Sequence, residues 1–177
     1  MRIVGGKYRS RVLSSFDGDK IRPTADKVRE SLFNILQNRI VGCRFLDLFC
    51  GTGAMGIEAL SRGADEVVFN DKARSSIELV KKNLSALKIT EGFKIYNLDA
   101  VAYASSVTTP FDIVYIDPPY KEGLGDSAIA AAVNAIKDDG VIIFEDEKPF
   151  EGQPLGLKIT DTRKYGRVHL TFFMKEN

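Results

Sequence analysis

The sequence predicts an alternating α/β fold. It has a mostly parallel, seven-stranded sheet covered by helices on both faces, a β-hairpin at the C-terminal end, and a hairpin arm and helix at the N-terminal end. Three observations predict it. Short runs that are apolar on both faces recur along the chain, stretches with apolar residues at helical spacing separate them, and two final segments flank the turn-forming Lys164-Tyr165-Gly166. Strands apolar on both sides and alternating with helices belong to a parallel sheet buried between two helical layers.

Taken in order, residues 1–16 alternate loosely around Gly5-Gly6 and read as a short β-hairpin or extended arm. Pro23 stops any strand there, and Thr24 is placed to cap a helix. Val28, Leu32, Phe33, Ile35, Leu36 and Ile40 then repeat at helical spacing, which predicts an amphipathic helix over 25–40. Strands are expected at 45–49, 66–70, 93–97, 111–116 and 141–145. Between them the spacing predicts helices over 54–62, 74–87, 100–105 and 124–137; Ile77, Val80, Leu84 and Leu87 share one face of the second. Segments 157–162 and 167–174 complete the terminal hairpin. The chain divides into a basic N-terminal arm over 1–24 and a catalytic domain over 25–177.

The composition excludes several functional classes. No run approaches the roughly 18 apolar residues that span a membrane, and the N-terminus has no apolar stretch of signal-peptide length, so a cytoplasmic protein is expected. Two cysteines, Cys43 and Cys50, and one histidine, His169, give almost no material for a metal site, and none is expected. The net charge of +1 is unevenly spread: residues 1–30 hold eight Lys/Arg against four acids. A chain that binds a polyanion needs such a basic face, not a basic whole.

The segment Asp47-Leu48-Phe49-Cys50-Gly51-Thr52-Gly53-Ala54-Met55-Gly56 passes from a strand into a helix and carries GxGxxG spacing. Glycines there let the chain turn tightly and let a ligand press on bare backbone. Asp71 ends the second strand, where a carboxylate can accept both ribose hydroxyls of an adenosine cofactor. That position suits NAD and S-adenosylmethionine alike. Asp47 separates them better, because a carboxylate would repel a pyrophosphate yet meet the ammonium of a methionine moiety. Asp99, just after the third strand, stands near an adenine amine or caps the helix over 100–105, or does both.

The most specific feature is Asp117-Pro118-Pro119-Tyr120 after the fourth strand. Ligands of open parallel sheets bind beyond the carboxyl ends of strands, near the point where strand order reverses. Two consecutive prolines make this backbone stiff. An exocyclic base amine is a poor nucleophile, because its lone pair is delocalised into the ring. The Asp117 carboxylate and the Pro118 carbonyl could bind its hydrogens and aim it, while Tyr120 offers an aromatic face to a flipped-out base.

With these motifs assembled, the sequence resembles the RsmD-type methyltransferases of bacterial 16S ribosomal RNA. The resemblance runs from Arg2-Ile3-Val4-Gly5-Gly6-Lys7-Tyr8-Arg9 through Arg22-Pro23-Thr24, Val28-Arg29-Glu30, Leu32-Phe33-Asn34-Ile35-Leu36 and the glycine loop. It continues through Glu58-Ala59-Leu60-Ser61-Arg62-Gly63-Ala64 and Asp117-Pro118-Pro119-Tyr120 to Tyr165-Gly166. It implies a Rossmann-like fold and methyl transfer from S-adenosylmethionine, leaving S-adenosylhomocysteine, to the N2 amine of a guanine. It also implies a monomer acting on 16S rRNA in a small-subunit particle.

By that resemblance Asp117, Pro118 and Tyr120 handle the base. Asp47, Phe49, Gly51, Gly53, Asp71, Lys72, Asp99, Ala100 and Asp117 line the cofactor pocket, and Arg2, Lys7, Arg9, Arg11 and Arg22 dock RNA. Leu98 departs from the pattern, standing where a glycine usually precedes the aspartate. The tetrapeptide is shared with adenine-N6 methyltransferases of DNA or RNA, which form the alternative reading.

Overall fold

A computed structural model describes residues 1–16, 23–119 and 123–176 of the chain, and the side chains of Pro23 and Thr24 lie outside that description. The elements are α1 (Pro23–Ile35), α2 (Gln37–Ile40), β1 (Arg44–Asp47), α3 (Ala54–Ser61), β2 (Glu66–Asn70), α4 (Arg74–Ala86) and β3 (Phe93–Tyr96). They continue with α5 (Ala100–Ser105), β4 (Phe111–Ile116), α6 (Gly125–Ala135), β5 (Ile136–Asp146), β6 (Leu157–Tyr165) and β7 (Val168–Lys175). The seven strands form one sheet in the order β3-β2-β1-β4-β5-β7-β6. Only β7 runs against the others, pairing antiparallel with both β5 and β6. Strand order therefore reverses between β1 and β4, whose carboxyl ends lie side by side with Asp47 paired to Tyr115.

Alternation along the strands sorts the core onto two faces. Phe45, Ile113, Tyr115, Val141 and Ile143 pack on one side with Leu32 and Phe33 of α1, Ile57 of α3 and Val80 of α4. Leu46, Val114, Ile116, Ile142 and Phe144 pack on the other with Tyr103 of α5 and Ile129 of α6. The predicted apolar face of α4 is buried at Ile77, Val80, Leu84 and Leu87.

The helix predicted over 25–40 differs in two ways. It begins at Pro23, so Thr24 lies inside the first turn and does not cap it; proline suits that turn because its missing N–H has no partner there. It also breaks at Leu36 (ψ 0°), and Arg39 N–H bonds back only three residues to the Leu36 carbonyl. Leu36 and Ile40, on either side of the break, are both buried in the core. β5 starts five residues ahead of the prediction, because buried Ile136 pairs with Phe111 before an irregular stretch returns the register at Val141.

The arm over 1–16 folds back on itself through one antiparallel bridge, Arg2 to Val12, flanked by the Ile3 N–H donating to the Arg11 carbonyl and the Leu13 N–H donating to the Met1 carbonyl, without extending into regular strands. Its Gly5-Gly6 turn is pressed onto α3: the Lys7 N–H donates to the Ser61 carbonyl, and Ser61 Oγ donates to the Gly5 carbonyl. A Cβ on Gly6 would stand 1.8 Å from the Ser61 carbonyl oxygen, so only glycine permits that approach. Ile3 and Leu13 are buried in the same core as α1. Asn83 of α4 joins the arm to the loop after β1, donating to the carbonyls of Ser14 and Thr52 and accepting from the Ser14 N–H.

Candidate active site

Each glycine of the loop after β1 does a different job. Gly53, at φ 79°, caps α3 in the left-handed conformation that favours glycine. Gly56 lies where a Cβ would come within 2.3 Å of the Phe69 ring, so it sets how closely α3 approaches β2. Gly51, at φ 50°, faces open space, and a Cβ there would meet no atom within 4 Å. It is the bare stretch of backbone against which a ligand can lie.

Carboxylates surround this loop. Asp47 is buried at the end of β1 and accepts a hydrogen bond from the Gly56 N–H at 2.9 Å. Burial pushes its pKa up to about 7, with the Asp71 charge adding to the effect and the Gly56 N–H opposing it. Asp71 binds two backbone N–H groups, Gly51 at 2.9 Å and Ala73 at 2.8 Å. Asp99 accepts from the Ala102 N–H and so caps α5; the side chain is exposed beside the cavity.

Two cavities meet at the carboxyl ends of β1 and β4. One, of about 590 Å³, is lined by Phe49, Gly51, Asp71, Lys72, Ser76, Asp99, Ala100, Asp117, Pro118 and Leu124 among others. The second, of about 570 Å³, is lined by Met1, Arg29, Asp47, Phe49, Gly51, Tyr115, Asp117, Glu145 and Arg167 among others. Phe49, Gly51 and Asp117 border both. The structure thus gathers Asp47, Phe49, Gly51, Asp71, Lys72, Asp99, Ala100, Asp117 and Pro118 around two adjoining cavities, while Gly53 stands behind them against Val80. Tyr120 and Arg22 lie outside the described residues.

This lining suits an adenosine cofactor whose charge is positive. Asp47, Asp71, Asp99 and Asp117 would repel a pyrophosphate but suit a sulfonium and an ammonium, with ribose and adenine as neutral hydrogen-bonding groups. The residues present therefore fit S-adenosylmethionine and do not fit NAD. Among the described residues no cluster of His, Cys, Asp or Glu could hold a metal ion, and no helix is long and apolar enough to cross a membrane.

The chain matches the family described as conserved hypothetical protein 95 over residues 1–174. It is 39% identical over 145 residues to the ribosomal RNA small subunit methyltransferase D of Escherichia coli K12, covering 82% of this chain and 71% of that protein. The chain belongs to the RsmD family. The Haemophilus influenzae methyltransferase D is 35% identical over 84% of this chain and 79% of its own length. The solved structure of Escherichia coli yhhF superposes with a TM-score of 0.86 at 31% identity, covering all of this chain and 98% of that one. RsmD relatives are methyltransferases of ribosomal RNA, and the sheet of that fold runs here from β1 to the terminal hairpin.

Three residues of the second cavity were not legible as site residues. Arg29 is buried in α1, donating to the Arg2 carbonyl at 2.5 Å and to Asp26 at 2.7 Å, and it lies 3.6 Å from Glu58. Tyr115 of β4 donates its hydroxyl to Glu145 of β5, and both stand beside Asp117. Burial pushes the Asp117 carboxyl well above the usual carboxylate range, and Glu145, Asp47 and Asp146 add to it. The one available signal was that Glu145, like Asp117, sits where a strand runs out at its carboxyl end. Of the arm's basic residues, Arg2, Lys7, Arg9 and Arg11 are all exposed; Arg2 lies 3.7 Å from Asp26, and Lys7 stands over the Tyr8 ring.

Proposed function

We propose that this protein transfers a methyl group to the exocyclic N2 amine of a guanine in small-subunit ribosomal RNA, acting as a cytoplasmic monomer on a small-subunit particle. The observation that carries the reading is Asp117, which borders both cavities, with Pro118 next to it on the wall of the first. Asp71 and Asp99 would hold the adenosine end of S-adenosylmethionine and Asp47 would meet its ammonium; bound there, the cofactor would supply an electrophilic methyl and leave as the neutral thioether.

A base flipped into the second cavity presents its amine to Asp117. The carboxylate and the Pro118 carbonyl accept the two amine hydrogens and turn the nitrogen lone pair toward the methyl. Tyr120 gives the base an aromatic face. As the N–C bond forms, the nitrogen becomes acidic and its proton passes to Asp117. The raised proton affinity of that buried carboxyl suits it to the task. Much of the acceleration is positioning of two bound reactants. The exposed arginines of the arm supply phosphate contacts that choose where on the RNA this happens.

The test is incubation with labelled S-adenosylmethionine and small-subunit particles from a strain lacking the enzyme, followed by nucleoside analysis. Label in N2-methylguanosine is expected. Label in N6-methyladenosine would overturn the base assignment, and no label in RNA would overturn the reading.

A further inference from the structure

The cavity in which Asp117 receives the base has a second carboxyl group that the transfer itself does not use. Ile116 of β4 pairs with Phe144 of β5, so the next residues, Asp117 and Glu145, leave neighbouring parallel strands side by side. Both line the same cavity. Glu145 is held from behind: the Tyr115 hydroxyl donates to Oε2, and among the described residues no hydrogen bond reaches Oε1. The two carboxyls are not equivalent. Burial raises the proton affinity of Glu145, but the Tyr115 hydroxyl and the Arg29 cation oppose it. The neighbouring carboxyls Glu145, Asp47 and Asp146 raise Asp117 further. With Oε2 taken by Tyr115, Oε1 is the oxygen of Glu145 left to accept from a group entering the cavity.

An acceptor beside the amine-binding carboxylate has a definite meaning for a purine. In guanine the ring nitrogen next to the N2 amine carries a hydrogen, N1–H. In adenine the ring nitrogen N1 beside the N6 amine carries a lone pair. A fixed carboxylate oxygen at that point attracts the first and repels the second. We propose that Glu145 is a specificity-determining residue, its Oε1 accepting the guanine N1–H while Tyr115 fixes the carboxyl group. Glu145 then selects the base, whereas Asp117 handles the amine that any such enzyme must bind. The inference rests on the N2-guanine reading above and adds the group that chooses guanine.

The test replaces the methylated guanine, once mapped, by 2-aminopurine in RNA reconstituted into small-subunit particles. 2-Aminopurine keeps the N2 amine and exchanges N1–H for a lone pair. Wild-type enzyme should favour guanine by roughly 100-fold in kcat/KM, as sites built around one charged hydrogen bond do. In Glu145→Gln the amide carbonyl takes the Tyr115 hydroxyl and an N–H₂ faces the base, so the preference should fall toward parity. Glu145→Asp, which keeps a carboxylate, should retain a preference for guanine even at a reduced rate. S-Adenosylhomocysteine affinity measured by calorimetry should be unchanged in both variants, which separates removal of one hydrogen bond from collapse of the fold. Equal use of guanine and 2-aminopurine by the wild type would overturn the role of Glu145 and leave N2 methylation standing. An unaltered guanine preference in a well-folded Glu145→Gln would do the same. A wild type that yields no N2-methylguanine overturns the N2 reading and this inference with it.

Discussion

Gly51 and Asp71 are joined on the wall of the cavity proposed for the cofactor: the Gly51 N–H donates to Asp71 Oδ2 at 2.9 Å. The same carboxylate takes the Ala73 N–H on its other oxygen, so one side chain ties the loop after β1 to the start of α4. Asp71→Ala removes both bonds and the proposed ribose acceptor together. Hydrogen bonds to a charged acceptor contribute about 1.5–3 kcal/mol each when well formed. The expected result is at least a tenfold loss of S-adenosylhomocysteine affinity, about 1.4 kcal/mol, by calorimetry. Unchanged affinity would show that Asp71 serves only the loop.

Asp117→Ala should abolish methyl transfer while cofactor binding persists, since the amine loses its acceptor but Asp71 and Asp99 remain. Filter binding of labelled cofactor alongside a single-turnover assay checks both halves. A collapse of cofactor affinity would remove Asp117 from its assigned role.

Asp47 gives the folded protein a pH dependence of known sign. Its carboxyl titrates near 7 in the fold against 3.8 for the ordinary group, because burial disfavours the charge. Below the lower value both states are protonated and the fold bears no cost. As pH rises from about 4 to about 7 the unfolded chain ionises first, so stability falls. Asp47→Asn keeps an acceptor for the Gly56 N–H and has no charge to bury. It should therefore unfold at a higher temperature than wild type at pH 7, with the gap closing toward pH 4. The same variant should bind S-adenosylmethionine more weakly, having no charge for the ammonium.

Gly51 and Gly56 separate binding from stability. A methyl at Gly56 would stand 2.3 Å from the ring of Phe69, which is fully buried and has nowhere to go. Gly56→Ala should cost about 1–3 kcal/mol by denaturant unfolding, as overpacked cores do. Gly51→Ala meets open space but holds φ 50°, where an alanine costs about 1–2 kcal/mol; beyond that cost it should lower cofactor affinity, because the methyl occupies the ligand's side of the loop. Cofactor affinity that falls in Gly56→Ala and not in Gly51→Ala would contradict this division.

Arg9 and Arg11 are exposed on the arm and belong to its excess of positive charge. Replacing both with alanine should weaken RNA binding and flatten its dependence on salt, by about 0.7–0.9 in slope for each phosphate that is no longer neutralised. Titrations at several salt concentrations measure it. Weaker binding with an unaltered slope would mean that these side chains do not meet phosphates.

The strand sequence, the apolar face of α4 and the chemistry of the glycine loop were legible in the chain because each is a local signal. Period-two and helical spacing are written within a dozen residues, and Asp47, Asp71 and Asp117 each stand in or just after an apolar strand sequence where a charge is conspicuous. Arg29 could not be read that way, because on an amphipathic helix an arginine reads as solvated. Its burial depends on the arm folding back so that the Arg2 carbonyl meets its guanidinium. Glu145 opens the acidic run Glu145-Asp146-Glu147, which looks like a wet strand end until β4 delivers Tyr115 and Asp117 beside it. Likewise Asp99 reads equally as a helix cap or a ligand group until the Ala102 N–H is seen to take one of its oxygens. The sequence by itself determined the order and type of most elements and the residues that point to a positively charged adenosine cofactor. The tertiary structure alone decided which carboxyls share a cavity, because proximity across the sheet follows strand order and not distance along the chain.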